Sequence, residues 1–253
     1  MLIAIPAEAS VNVPLHDWSY DAVQKLAAAG LADEVLFSSR PMTRDAMAAI
    51  VENAVERIRA GKLGGQETDP VLETLLLRLM DEFKPELESR GSWSPRYRVA
   101  DPLSAEVAPA FLEEAPRRSR DNHEGETYEE GANTQLRWRA WFAAGEHFGV
   151  SVEPEFFSSR EEIGVRLQEG VAALEFSNIR LEAGRESLWW GPGGHGSLLL
   201  TDNAPPFDLI KLSTPRPFSI GPRWLGRFKV SIFATRLGEN RDHPQTRLTG
   251  YRL

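Results

Sequence analysis

"TQLRWRAWFAA", residues 134–144, alternates apolar and polar side chains with a period of two. Successive side chains of a β-strand point to opposite faces, so this stretch predicts a strand with one apolar side. The apolar face would carry Leu136, Trp138, Ala140 and Phe142. The opposite face would carry Gln135, Arg137, Arg139 and Trp141. Such an apolar face must lie against either a protein core or lipid.

Two further stretches, "NIRLEAGRE" at 178–186 and "RFKVSIFAT" at 227–235, repeat the alternation. Further strands are predicted at "SAEVAPAFLE" (104–113), "GVSVEPEFF" (149–157) and "RLQEGVAALEF" (166–176). Short turns at 145–147 and 177–178 alternate with long loops at 116–132 and 191–223. A soluble β-sandwich would bury the apolar faces, but unequal turns are typical of outer-membrane barrels, whose charged faces line the lumen. We therefore predict a mostly β fold, a partial antiparallel transmembrane β-barrel, over residues 93–253.

The preceding residues have a helical period. Residues 17–29 end at Gly30, Thr43 can cap a second helix, and Asp69-Pro70 can begin a third. We predict a small α-helical bundle over residues 11–92. Residues 1–10, "MLIAIPAEAS", combine an apolar stretch with an A-x-A site and are interpreted as the remnant of a signal peptide, with a short strand as the alternative.

Composition excludes several classes of protein. No run of about 18 apolar residues occurs, so a membrane-spanning helix is not expected. The net charge of −8 argues against a nucleic-acid partner, and the absence of cysteine rules out disulfides and thiolate chemistry. The five histidines show no metal-ligand spacing, so neither a metal nor another cofactor is predicted.

The stretch "LEAGRESLWWGPGGHGSLLLTDNAPPFDLIKLSTPRPF", residues 181–218, resembles the capsule assembly Wzi family, and the similarity continues through residues 224–253. The resemblance implies an outer-membrane β-barrel with a helical periplasmic segment, and non-enzymatic, lectin-like binding of capsular or extracellular polysaccharide. Family members continue for more strands. Because an open sheet edge in lipid leaves unpaired backbone groups, we expect this chain to be truncated at both ends.

Candidate binding residues follow from this resemblance and from the predicted faces. A tryptophan can present its ring to a sugar or belong to an interfacial aromatic girdle, and lumenal arginines can attract acidic polysaccharide or form a ladder with Glu169, Glu175 and Glu182. Cationic lumen candidates are Arg137, Arg139, Arg180, Arg185, Lys211, Arg216 and Arg223. The predicted polysaccharide site comprises Trp189, Trp190, His195, Arg137, Arg139, Arg185, Asp202, Asn203, Lys211 and Arg216.

Other interpretations of these residues remain open. Asp202 and Asn203 suit a turn, 197–200 would fold into the barrel mouth, and Asp208 and Lys211 could form a buried ion pair. A porin-like barrel that passes oligosaccharides is the main alternative function. A glycan-processing enzyme is a third, but the H-x-S spacing of His195 and Ser197 fits no nucleophile elbow.

Overall fold

The computed structural model describes residues 10–32, 39–59, 69–90, 97–99, 105–113, 118–145, 147–193, 196–238 and 244–253. Residues 1–9 of the interpreted signal remnant and His195 lie outside these residues, as does the side chain of Arg223.

Four helices among the described residues form a bundle in the N-terminal part of the chain. They are α1 Trp18–Ala28, α2 Arg44–Arg59, α3 Pro70–Glu82 and α4 Lys84–Ser89. The three predicted helices are confirmed: Asp17 and Asp69 accept hydrogen bonds from the backbone N–H groups of Ser19 (2.8 Å) and Val71 (2.9 Å). The short α4 was missed because its start has no capping side chain. No described helix is long and apolar enough to cross a membrane.

The bundle has its own apolar core. Tyr20, Leu26, Met47, Leu79 and Phe83 are buried together in it. The predicted 3.6-residue pattern therefore describes real packing, and these helices bury their apolar faces against one another.

Fourteen strands occur among the described residues. They are β1 Ser39–Arg40, β2 Tyr97–Val99, β3 Ala105–Leu112, β4 Arg118–Ser119, β5 Thr127–Tyr128, β6 Gly131–Trp138, β7 Ala140–Ala144, β8 Phe148–Ser158, β9 Ile163–Phe176, β10 Ile179–Glu186, β11 Trp189–Trp190, β12 Phe207–Ser213, β13 Ser231–Arg236 and β14 Arg247–Arg252. A single turn of 3₁₀ helix, Arg223–Leu225, precedes β13.

The large sheet is an antiparallel meander. Its strands follow the order β3, β6, β8, β9, β10, β12, β13 and β14, and β7 continues β6 beyond a break at Arg139 to pair with β8 and β2. In the described part of the chain, β3 and β14 each pair on one side, so the sheet is open between them. This is the predicted partial antiparallel β-barrel.

The burial of side chains on this sheet is inverted relative to a soluble protein. Trp138 is 44% exposed, and Phe142, Leu181 and Ile232 are exposed with it, whereas Arg180 is only 2% exposed. The other buried ionic residues of the inner face include Arg137, Glu153, Glu155, Glu182, Glu186 and Lys211. An apolar exterior around an ionic interior is the pattern of a transmembrane barrel. The soluble sandwich is therefore excluded.

The predicted loop at 191–223 is wrong, because residues 207–213 within it form β12 and pair with both β10 and β13. The connection between β12 and β13 then spans 214–230 and lies at the same end of the sheet as the tight turn at 177–178. The difference in turn length that favoured a barrel is consequently weaker than predicted, whereas the alternation of side chains is as expected.

Residues 10–16 lie across the inner face of the sheet. Arg180 Nη1 donates to the carbonyl of Ser10 (2.5 Å), Arg139 donates to the carbonyl of Asn12, and the Asn12 amide donates to Glu182 Oε1 (2.6 Å). The short strands β1 and β11 add a second connection, because they pair antiparallel. The helical segment is thus fastened to the ionic face through buried polar contacts.

Candidate functional site

One group of inner-face charges, the Arg180 cluster, consists of Arg180, Glu175, Glu182, Glu186 and Lys211. Arg180 lies 3.2 Å from Glu175 and 3.0 Å from Glu182, and the Lys211 ammonium lies 2.9 Å from Glu182 and also contacts Glu186. The sheet register causes this pairing, because Arg180 lies opposite Glu175 and Lys211 lies opposite Glu182 on neighbouring strands. The cluster is an ionic brace between β9, β10 and β12.

A second group, the Arg137 cluster, gathers Arg137, Glu124, Glu126, Glu153 and Glu155 beside His16. The guanidinium lies 2.7 Å from Glu126, 3.0 Å from Glu124, 3.5 Å from Glu155 and 3.9 Å from Glu153. One cation therefore serves four buried carboxylates. Arg166 also contacts Glu155, at 2.9 Å, and supplies further compensation there.

Shifted pKa values occur at three side chains in or beside this cluster: Glu124, His16 and Asp202. Burial alone would raise the pKa of Glu124, but His16, Arg137 and Gln168 outweigh it and lower that pKa to about 2. Burial alone would lower the pKa of His16, but Glu124 and Glu153 raise it above its ordinary value. Burial, reinforced by the charge of Glu124, raises the pKa of Asp202 to about 7. Positive neighbours thus outweigh burial at Glu124, whereas burial and the charge of Glu124 outweigh them at Asp202.

A cavity of about 560 Å³ lies between the helical segment and the inner face of the sheet. Trp18 and Trp141 form part of its wall, together with Arg44, Arg137 and Arg139. Arg44 and Arg78 stack on the two indoles, with guanidinium carbons 4.9 Å from the Trp141 ring and 4.6 Å from the Trp18 ring. The acidic residues that line the same cavity are Asp17, Asp81, Glu82, Glu106 and Glu153.

This lining combines flat aromatic faces with a dense set of donors and acceptors. Guanidinium groups donate hydrogen bonds, carboxylates accept them, and indoles pack against apolar C–H groups. A ligand rich in hydroxyl groups can use all three features. A second cavity of about 190 Å³ lies beside the first, shares His16 and Trp18 with it, and also contacts Trp189 and Asp202.

Two of the predicted arginines, Arg137 and Arg139, line the larger cavity. Arg180 and Lys211 face the interior as predicted, but their charges are engaged in the Arg180 cluster. Glu175 and Glu182 pair with Arg180 as expected, whereas Glu169 accepts a hydrogen bond from the backbone N–H of Ser187 (3.1 Å).

Arg185 was predicted to face the lumen, and this position is wrong. In the alternation of β10, Arg185 shares the outer face with Leu181 and Ala183. It lies there 2.8 Å from Asp208 on β12. The predicted pair of Asp208 and Lys211 is wrong for the same reason, because residues three apart in a strand point to opposite faces.

Trp189 and Trp190 are both buried, so the alternative that they belong to an interfacial aromatic girdle is wrong for both. Trp190 packs against Phe233 at 5.4 Å between ring centres, in a small apolar cluster on the inner face. The Trp189 indole donates to the carbonyl of Gly193 (3.1 Å) and borders the smaller cavity. Pairing of β11 with β1 covers this dipeptide, which the local sequence could not indicate.

The remaining predicted residues lie in loops. Asn203 accepts a hydrogen bond from the backbone N–H of Asn122 (2.7 Å), which joins two loops, and Asp202 is buried beside the Arg137 cluster. Arg216 is held at the turn between β9 and β10, where it donates to the carbonyl of Ser177 (3.2 Å). Residues 197–200 were expected to fold inward, but Leu198 and Leu199 are exposed.

Sequence reasoning missed several residues of the site: Asn12, His16, Trp18, Glu124 and Glu153. Glu153 could have been found, because it lies on the inner face of the alternating strand β8. Asn12 and His16 could not, because their partners are more than a hundred residues away in the sequence.

An open antiparallel sheet with an apolar exterior, a buried ionic interior and a lined cavity defines a β-barrel protein of the transmembrane type. Residues 113–253 match the family described as capsule assembly protein Wzi, and the chain belongs to this family. A comparison with curated proteins gave no match.

The fold is also similar to a solved structure described as Wzi, an outer membrane protein involved in group 1 capsule assembly in Escherichia coli, a carbohydrate-binding β-barrel. The TM-score is 0.65 at 15% sequence identity, over 95% of this chain and 48% of that one. The chain thus spans about half the length of that protein.

Proposed function

We propose that this chain is part of an outer-membrane capsule assembly protein that binds capsular or extracellular polysaccharide without acting on it chemically. In this proposal the exposed apolar residues of the sheet contact lipid, and the helical segment lies on the periplasmic side. Membership of the capsule assembly family and the inverted burial of the sheet support it. The description of the structural neighbour as carbohydrate-binding agrees with it.

The cavity lined by Trp18 and Trp141 is the observation that carries the binding site. Its aromatic faces suit the apolar side of a sugar ring, and its guanidinium and carboxylate groups suit the hydroxyls of that ring. Carboxylates line this cavity at least as densely as cations do, so hydroxyl recognition explains it better than attraction of a polyanion does. In this proposal the lumenal arginines donate hydrogen bonds to sugar hydroxyls rather than attract an acidic polysaccharide.

Replacing Trp141 with alanine should weaken polysaccharide binding about tenfold, because an aromatic anchor in a pocket commonly contributes more than 1 kcal/mol. Isothermal titration of the refolded chain with a panel of purified capsular polysaccharides measures the Kd. Trp224→Ala is the matched control, because Trp224 is 81% exposed in the 214–230 connection and lies outside the cavity.

Equal loss of affinity in both variants, or none in Trp141→Ala, would contradict the assignment of the cavity. Two further measurements separate the alternative functions. Release of reducing ends from the same polysaccharides would indicate an enzyme, and conductance across a planar bilayer without retained binding would indicate a porin-like barrel.

A further inference from the structure

Three ligand-type side chains from distant parts of the chain meet on the inner face. His16 comes from the segment that crosses the sheet, Glu124 from the connection between β4 and β5, and Glu153 from β8. Their ligand atoms lie within 4.8 Å of one another. His16 Nδ1 is 3.7 Å from Glu124 Oε1, and His16 Nε2 is 3.8 Å from Glu153 Oε1.

The atoms that face one another in this group lack hydrogen-bond partners within the described part of the chain. They are His16 Nδ1, Glu124 Oε1 and Glu153 Oε1. Glu124 is 1% exposed and Glu153 is 3% exposed, so neither oxygen is compensated by bulk water. An uncompensated buried carboxylate oxygen is costly. A cation placed between these atoms would satisfy all three.

Glu124 is also oriented as a metal ligand would be. Its Oε2 accepts hydrogen bonds from Arg137 Nη1 (3.0 Å) and from Gln168 Nε2 (3.1 Å), which turns Oε1 toward the imidazole. Ligating carboxylates in metal sites are commonly held through their second oxygen in this way.

The local charge favours a cation. Arg137 is shared among four carboxylates, and it lies 3.9 Å from Glu153, beyond hydrogen-bond distance. Asp202 adds another buried carboxylate beside the group, and its Oδ1 has no hydrogen-bond partner among the described residues. Excess buried negative charge of this kind is usually compensated by protons or by a bound cation.

We propose that His16, Glu124 and Glu153 form a binding site for a divalent transition-metal ion of the Zn²⁺ class. An imidazole nitrogen with two carboxylate oxygens suits Zn²⁺, whereas Ca²⁺ and Mg²⁺ prefer oxygen ligands alone. His16 borders both cavities, so the ion can enter from either and keep a coordination position open toward them. This site does not depend on polysaccharide binding and is tested without any glycan.

Titration of the full refolded chain with zinc chloride alone should show one equivalent bound. Glu153→Gln, which keeps the size of the side chain, should weaken the Kd for zinc at least about tenfold, and His16→Gln should do the same. Glu175→Gln is the matched control, because Glu175 is a buried inner-face carboxylate of the Arg180 cluster. Its affinity for zinc should be unchanged.

A measurement on the unaltered chain covers the case in which a variant does not fold. X-ray absorption of the zinc-loaded chain should show one imidazole and otherwise oxygen ligands. Absence of zinc binding, a zinc shell without imidazole, or equal weakening by Glu175→Gln would overturn the proposal. Calcium binding of equal strength that His16→Gln leaves intact would also overturn it.

Discussion

Arg180→Met is expected to lower the free energy of unfolding by about 3–5 kcal/mol, because removing one partner of a buried ion pair leaves the other charge uncompensated. Arg180 contacts both Glu175 and Glu182 and also donates to the carbonyl of Ser10. Methionine fills similar space but provides neither charge nor donor. Urea unfolding of the chain refolded into lipid vesicles measures the effect.

Arg160→Met provides the control for this prediction. Arg160 also faces a carboxylate, that of Glu130 at 3.8 Å, but it lies in the connection between β8 and β9, and both side chains are exposed. Exposed pairs contribute about 0–1 kcal/mol, so this variant should unfold nearly as the unaltered chain does. Similar losses in the two variants would mean that the Arg180 cluster is not a buried brace.

Leu181→Arg is expected to lower the free energy of unfolding in vesicles by about 1–2 kcal/mol, because arginine on the lipid face costs about 2–4 kcal/mol at the bilayer midplane and about 0–1 kcal/mol at the interfaces, and Leu181 lies three residues from the tight turn at 177–178. Leu181 follows Arg180 in β10 and lies on the opposite face, exposed on the exterior. Two neighbouring residues of one strand thus lie in different environments, the ionic interior and the lipid-facing exterior.

Leu198→Arg is the matched control, since Leu198 is an exposed leucine in the connection between β11 and β12. A charge there should change the stability by no more than about 0.5 kcal/mol, as surface substitutions usually do. If Leu181→Arg were equally harmless, the outer face would be in water rather than in lipid.

The strands and their faces could be predicted because a period of two is a local property of the sequence. Residues 134–144 and 178–186 show it clearly, and both have the predicted faces. The helices were predictable from local signals too, since Asp17, Gly30, Thr43 and Asp69 all lie at helix ends. Local chemistry at these positions agrees with the tertiary structure.

The site was less predictable because it depends on contacts between distant residues. The partners of His16 in the Arg137 cluster, Glu124 and Glu153, lie more than a hundred residues from it in the sequence. Trp189 is buried by β1, about 150 residues earlier. Arg185 shows a different limit: the faces of β10 were assigned correctly, but the residue was counted with the cations rather than by its position in the alternation. Phe233 was likewise not predicted to face inward, although the alternation of β13 places it on the inner face.

Spin labels on the two faces of β9 test the central claim most directly. The chain contains no cysteine, so Ala172→Cys and Ala173→Cys each give a single labelling site, one on the exposed outer face and the next on the buried inner face. In vesicles, the label at 172 should be accessible to oxygen and protected from a water-soluble nickel reagent, whereas the label at 173 should be protected from oxygen. Strong access of the nickel reagent to position 172 would contradict a lipid-facing exterior.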